Sequence, residues 1–364
     1  MECDQRSAHT GDRSSQSMTQ SLSELLDQAL AARATLFDAR NESAFRLFNG
    51  FSEGNPNLVV DLYAKTILFH NYGSVVRLKG AVTSQNHSSD APEQALSLIQ
   101  AAQEFYQRHL PWLKAGIIKA RNGKSIEVKR GKLLFGDEAD RKINEHNVWF
   151  AIDLTLNQDA SFYLDTRNLR KWISENVKDK TVLNAFAYTG SLGVAALAGG
   201  ASRVVQLDRN KPFLNVAKES YSLNNFPIHK QDFITSDFFA QVAKFKRTGE
   251  RFDCVFIDPP FFSTSPRGTV DQVNESARLI NKVRPLINDG GTLVAINNAL
   301  YVSGREYMRT LEALCEDGYL RIKELIPVPD DFAGYPETRV GKPITDPSPF
   351  NHSTKVAVLK VKRK

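Results

Sequence analysis

The sequence predicts an α/β fold, with a doubly wound, mostly parallel sheet in the second half of the chain and a smaller α+β domain before it. Three observations carry that expectation. After residue 181, short runs of Val, Ile, Leu and Phe alternate with segments of helical periodicity, the pattern of strands covered by helices on both faces. Before residue 160, strand-like runs instead cluster between turn signals. The 364 residues also exceed what one core of ordinary size accommodates. The expected division is a disordered polar tail over 1–20, an N-terminal α+β domain over 21–160 and a larger domain over 161–364, with the joint near 165–179.

Ser21 and Glu24 have the spacing of a capping box, and Leu22, Leu25, Leu26, Ala29 and Leu30 follow a helical period. Strands then follow, broken by Asn49-Gly50 and Gly54-Asn55-Pro56-Asn57. Residues 83–90 read as a loop, with Asp90 capping a helix that buries Leu96, Ile99, Phe105 and Tyr106. The stretch 116–136 is strand-rich, and 148–155 is another strand. The second half reads TVLNAF as a strand, 190–198 as a helix, RVVQLD as a strand, 212–225 as a helix and HKQDF as a short strand. A helix over 238–247, the buried strand DCVFID, a helix over 270–287 and the strand TLVAIN come next. A helix over 306–316 and the strands YLRIKELI and KVAVLKV close the domain.

The net charge of +6 leans mildly towards a polyanionic partner. No apolar run approaches the ~20 residues that span a bilayer, and the first twenty residues have no apolar centre of a secretory signal, so a cytoplasmic location is expected. Cys3, Cys254 and Cys315 are scattered, with neither disulfide nor metal spacing, so no metal site is expected.

Ligands of a doubly wound sheet bind outside the carboxyl ends of its strands. The first parallel strand runs into Asn184-Ala185-Phe186-Ala187-Tyr188-Thr189-Gly190, where Gly190 permits a tight turn and a close approach to a ligand. The turn reads equally as purely structural. Asp208 ends the second strand, where an acid can accept both hydroxyls of a ribose. Asp237-Phe238 reads either as a helix cap with a core aromatic or as an acid and ring for adenine. The fourth strand ends Asp258-Pro259-Pro260-Phe261-Phe262: an acid, carbonyls on a rigid turn and adjacent aromatic faces suit a planar base with an amino group. The dinucleotide pattern GxGxxG is absent from the first turn, which argues against a nicotinamide enzyme.

Together these residues resemble the class I S-adenosylmethionine (SAM) dependent methyltransferases, with their seven-stranded Rossmann-like sheet. More closely they resemble the bacterial large-subunit (23S) rRNA methyltransferases that carry NxFxYTG. Ser161-Phe162-Tyr163-Leu164-Asp165-Thr166-Arg167 is similar to the family's aromatic-Leu-Asp-x-Arg segment, and 45–50 and 57–63 look like its central domain. The resemblance implies SAM as cofactor and RNA, such as rRNA or a ribosome-assembly intermediate, as partner. It implies SAM contacts from Tyr163, Asp165, Arg167, Asn184, Phe186, Tyr188, Thr189, Gly190, Asp208, Asp237 and Phe238, with Asp258, Pro259 and Phe261 at the reacting base.

Two departures matter. The family's cytosine-C5 enzymes often begin with an RNA-binding PUA domain, for which there is no room before Ser21. They also need a cysteine nucleophile, because cytosine C5 is unreactive until a thiolate adds to C6. Where they carry it, at the end of the fifth strand, this chain reads Ile296-Asn297-Asn298-Ala299. Asn-Asn there is similar to the guanine-N7 branch, in which a ring nitrogen attacks directly. Asn297 and Asn298 either bond a base edge or tie down a loop, and an exocyclic amine held by Asp258 and the Pro259 carbonyl is a second cysteine-free target. Cytosine C5, a small molecule or protein substrate, and an inactive RNA-binding fold are the competing readings. Lys119, Arg121, Lys124, Lys129, Arg130 and Lys132, against the single acid Glu127, read as a strand pair that tracks phosphates, or as a solvated face. The long segment 330–353 is expected to form a lid over the target base.

Overall fold

A computed structural model describes residues 20–73, 91–123 and 125–363. The expectations for the tail, Cys3, the loop 83–90 with Asp90, the Leu96 side chain and Lys124 lie outside the described residues. Helix α1 (Leu22–Ala32) starts on the expected box: the Ser21 hydroxyl accepts from the Glu24 amide, and the Ser21 amide donates back to the Glu24 carboxylate at 2.7 Å. Next come β1 (Ala44–Asn49), β2 (Leu58–Tyr63), β3 (Thr66–Asn71), α2 (Ala91–His109), β4 (Ala115–Ala120), α3 (Ile126–Arg130) and β5 (Lys132–Phe135). The five strands form one sheet in the order β1-β2-β3-β4-β5, with α2 crossing between the parallel pair β3 and β4. Leu26 and Ala29 of α1 and Ile99, Phe105 and Tyr106 of α2 bury one face of it. The other face, through Tyr63, Leu68 and Ile117, packs against Phe150, Phe162 and Leu164.

The stretch 116–136 is not a plain strand pair. Ser125 accepts from the Val128 amide and starts the helical turn α3 between β4 and β5. The strand expected over 148–155 ends early, as half of the hairpin β6 (Lys142–Glu145) and β7 (Val148–Ala151). The Trp149 amide donates to Asn224 and the Ala151 amide to Ser220, both at 2.9 Å, so the hairpin docks on the second half of the chain. The expected joint is itself helical, as α4 (Arg167–Asn176).

The second half comprises β8 (Thr181–Ala185), α5 (Ser191–Ala198), β9 (Arg203–Asp208), α6 (Lys211–Leu223), β10 (Phe233–Thr235), α7 (Phe238–Thr248) and β11 (Phe252–Ile257). It continues through β12 (Phe262–Ser265), β13 (Gly268–Asp271), α8 (Ser276–Val283), β14 (Ile287–Asn297), α9 (Gly304–Cys315), β15 (Leu320–Ile326), α10 (Asp330–Ala333) and β16 (Lys355–Val361). Seven strands form one sheet in the order β10-β9-β8-β11-β14-β16-β15, with β16 antiparallel to both neighbours. This is the class I methyltransferase arrangement. Two boundaries differ from expectation. HKQDF is mostly a helical turn, and the strand is Phe233–Thr235. The helix expected over 270–287 is only Ser276–Val283, because residues 262–271 fold into the hairpin β12–β13 and Asp271 caps the turn after it.

Of the segment 330–353, residues 331–340 form a strap to the N-terminal domain and later residues bond the second half of the chain. None lines the cleft at the carboxyl ends of β8, β9, β10 and β11, so the expected lid is not formed. Asp331, fully buried, accepts from the Arg46 amide at 2.8 Å and from the Arg167 guanidinium. The Thr338 hydroxyl bonds Glu53, which is itself paired with buried Arg33 at 2.9 Å. Asn49 donates to the Phe332 carbonyl at 3.0 Å. Among the described residues, no helix is long and apolar enough to cross a membrane, and no three metal-ligating side chains cluster.

Removing Asp331 leaves a partly buried cation and a partly buried amide unpaired. Asp331→Ala should therefore destabilise the fold by ~3 kcal/mol or more, read as a lowered urea midpoint. A loss below ~1 kcal/mol would show that the strap is not a structural clasp.

Candidate active site

A cleft of about 350 Å³ opens at the carboxyl ends of β8, β9, β10 and β11. Its position follows from the turn after β8. There Phe186 (φ 59°) and Tyr188 (φ 51°) adopt left-handed backbone, a strain that turns their rings towards the cleft. Gly190 (φ 78°) follows as the N-cap of α5, where a Cβ would stand 2.5 Å from that of Ala217. The Phe186 ring stacks on Phe238 with centroids 4.5 Å apart, and Tyr188 packs between Tyr163 and Phe213.

Asp208 closes β9 and accepts from the amides of Tyr188 at 2.9 Å and Asn210 at 2.8 Å. Burial holds its carboxyl above the usual range in spite of those donors. Asp237 caps α7 through the Ala240 amide and also lines the cleft. Asp258 closes β11. Burial, with the charge of Asp165 nearby, pushes its carboxyl up to about 7.

Nine expected residues line the cleft: Tyr163, Phe186, Tyr188, Asp208, Asp237, Phe238, Asp258, Pro259 and Asn298. Others stand behind it. Asp165 accepts from the Thr354 hydroxyl, and Arg167 is spent on Asp331. Asn184 donates to Gln206 beneath the turn, Thr189 donates to the Ser161 carbonyl, and Gly190 supplies backbone alone. Phe261 is half-exposed and lies outside the lining. Asn297 does not face a base: it is buried, donates to the Gln272 carbonyl at 3.0 Å and accepts from the Ala299 amide at 3.0 Å. It ties down the loop, whereas Asn298 is exposed and makes no side-chain hydrogen bond among the described residues.

The basic stretch divides as well. Arg130 and Lys132 are exposed and Lys129 partly so, but Lys119 is fully buried and Arg121 is paired with Asp159. Lys119 is therefore closed to solvent, whereas Arg121 stays partly exposed beside its carboxylate partner.

Sequence reasoning missed two parts of the site. The hairpin β12–β13 brings Ser263, Ser265 and Val270 over the cleft. Just after it, buried Gln272 donates to the Pro259 carbonyl, accepts from the Asn298 amide at 2.9 Å and bonds the Phe261 carbonyl through its own amide. One amide side chain thus fixes the spacing of the Asp258 turn and the Asn298 loop, and it occupies one lone pair of the Pro259 carbonyl. The turn Ser265-Pro266-Arg267-Gly268 between two short β-prone runs was the available signal for the hairpin; nothing local marks Gln272.

Four acids (Asp159, Asp208, Asp237 and Asp258) and one base (Arg209) line the cleft. This charge, with the stacked rings and a carboxylate at the end of the second strand, fits an adenosine that bears a cation. Residues 129–336 match the S-adenosylmethionine-dependent methyltransferase family, and the chain belongs to it. Among individual proteins it is similar to ribosomal RNA large subunit methyltransferase I of Enterobacter sp. (strain 638), at 29% identity over 274 residues, which is 75% of this chain and 65% of that protein. It therefore spans just under two thirds of that relative's length. It is also similar to YwbD of Bacillus subtilis, a candidate ribosomal RNA large subunit methyltransferase, at 27% identity over 322 residues, 86% of this chain and 76% of the other. A candidate methyltransferase solved with SAH shares the fold, with a TM-score of 0.76 and 22% identity over 93% of this chain and 80% of that one.

Gln272→Ala unpairs buried groups on two segments and should cost about 1–3 kcal/mol of stability. In folded protein it should lower the rate of methyl transfer more than it weakens SAM binding, which single-turnover rates and calorimetry would separate. Equal losses in both would place Gln272 outside the arrangement of the reacting base.

Proposed function

We propose that the chain transfers the methyl group of SAM to a nitrogen of an RNA base, in 23S rRNA, without a cysteine-linked intermediate, and that the atom is guanine N7. The observation that carries this reading is the placement of the two thiols among the described residues. Cys254 lies inside β11, fully buried, with its thiol pushed up to about 12 by burial, and Cys315 lies on α9; neither lines the cleft. Cytosine-C5 chemistry needs a reachable thiolate.

In this reading Asp208 accepts the ribose hydroxyls, the stacked pair Phe186 and Phe238 forms one wall beside the adenine, and Asp237 accepts from its amino group. Tyr163 and Tyr188 form the opposite wall, and the start of α5 after Gly190 faces the carboxylate end. When bound, SAM supplies a methyl group on a positively charged sulfur. The base nitrogen's lone pair takes that methyl while the carbon–sulfur bond breaks with its electrons to sulfur. No proton leaves guanine N7, so the purine becomes cationic beside Asp258, which has no cation partner among the described residues. The acid then stabilises charge as it develops on the base. Asn298 is the polar side chain available to orient the base edge. The free lone pair of the Pro259 carbonyl beside Asp258 favours a second target, an exocyclic amine, whose proton Asp258 would accept.

Nucleoside mass spectrometry of 23S rRNA from a deletion strain should show one modified base lost, 7-methylguanosine in the favoured case and an N-methylated amine in the second. The Cys3→Ser, Cys254→Ser, Cys315→Ser triple variant should restore it. A folded triple variant that binds SAM but restores nothing would revive the covalent route.

A pH dependence follows from Asp258. The acid is neutral below about 7 and ionised above it, so its attraction for a cation is present above that pH and lost as pH falls. SAM affinity should therefore fall below pH 7, by up to about tenfold per unit. SAH, which lacks the sulfonium charge, should show a shallower slope, and Asp258→Asn should flatten both. Parallel slopes for the two ligands would exclude Asp258 as the group facing the sulfonium.

A further inference from the structure

Two cations foreseen as phosphate contacts hold a wall of the cleft instead. Lys119, next to last in β4, lies on the same face as Ile117, the face turned towards the second half of the chain. Its ammonium is fully buried and donates to the carbonyls of Asn157 and Asp159, both at 2.8 Å. Arg121, two residues on, donates to the Gln158 carbonyl at 2.6 Å and to the Asp159 carboxylate at 3.2 Å. All three residues of the loop 157–159 are thus held from the N-terminal sheet.

The same loop holds the tyrosines of the cleft. The Tyr188 hydroxyl donates to the Asn157 side chain, and the Tyr163 hydroxyl to the Asp159 carboxylate, both at 3.2 Å. Asn157 and Asp159 themselves line the cleft. A continuous chain of hydrogen bonds therefore runs from β4 to the two rings.

We infer that Lys119 and Arg121 are positioning residues for SAM: they set the loop 157–159 and, through it, Tyr163 and Tyr188, so that the N-terminal sheet completes the cofactor cleft. A buried ammonium between two carbonyls is a rigid strut, since apolar surroundings give it no alternative partner. The exposed cations beyond it, Arg130 at the end of α3 and Lys132 at the start of β5, stay available to a polyanion, so one basic segment divides between cofactor and RNA. The inference rests on the reading of the cleft as the SAM site.

The test is calorimetric titration of SAM, beside RNA binding, for the wild-type chain, Lys119→Met and Arg121→Met. Both variants should bind SAM roughly tenfold or more weakly, a loss of ~1.4 kcal/mol, with RNA affinity within about twofold of wild type. In a Tyr188→Phe background, which cuts one link, the Lys119→Met penalty should shrink, the signature of coupling through the loop rather than of general loosening. If Lys119→Met does not fold, Arg121→Met, whose side chain is partly exposed, carries the same comparison. Wild-type SAM affinity with weakened RNA binding in either variant, or equal penalties in both backgrounds, would overturn the inference. Failure of the wild-type chain to bind SAM would overturn the reading of the cleft instead.

Discussion

Parallel pairing of β8 with β9 and β11 constrains everything else in the second half of the molecule. Its register sets Ile234, Leu207, Ala185, Ile257 and Ala295 in one row across the sheet, all of them buried or packed against the core. Parallel strands point the same way, so β9, β8 and β11 leave the core at the same edge, each with its next residue. Those residues include Asp208 after Leu207, Phe186 after Ala185 and Asp258 after Ile257. Two carboxylates and a ring are gathered because the apolar row beneath them is in register. A one-residue slip of β9 would reverse the faces of its buried side chains and withdraw Asp208 from the cleft.

That constraint explains why so much of the site was legible in the sequence. An apolar run that stops at an acid, repeated at two parallel strands, places both acids at one edge without any tertiary information. The capped start of α1 and the Gly190 turn were legible for the same reason, since each is governed by residues within four positions of itself. The parts that were not legible depend on partners far away in the chain. Asn297 could have faced a base or held a loop, and its partner Gln272, 25 residues earlier, decided it. The strap reads as a loop until buried Asp331 meets the Arg46 amide, 285 positions away.

Lys119 shows the limit most clearly. In Ala-Gly-Ile-Ile-Lys-Ala a lysine after two isoleucines reads as the solvent end of a strand, and five other cations nearby reinforce that reading. Yet β4 is covered on both faces, Ile118 by the helices α1 and α2 and Ile117 by the second half of the chain. Alternation therefore carries no solvent face here, and the lysine follows Ile117 inward. Burial lowers its ammonium to about 8, with Asp159 opposing that shift. Sequence charge counts treat such a residue as surface potential; the fold has converted it into a strut.

The charge of the cleft limits what can enter. Its four acids face one arginine, and burial holds two of those acids, Asp208 and Asp258, above their usual range. A ligand with a diphosphate would bring further negative charge into low-dielectric surroundings and would be repelled. A cationic adenosine relieves the same strain. The argument extends to the second substrate proposed above. An RNA backbone cannot follow its base into this cleft without setting phosphates against those carboxylates, so the base must enter alone, turned out of the strand, while the phosphates remain with the exposed cations elsewhere. The Asp258 turn and the Asn298 loop, clasped together by Gln272, form the edge past which such a base would have to pass.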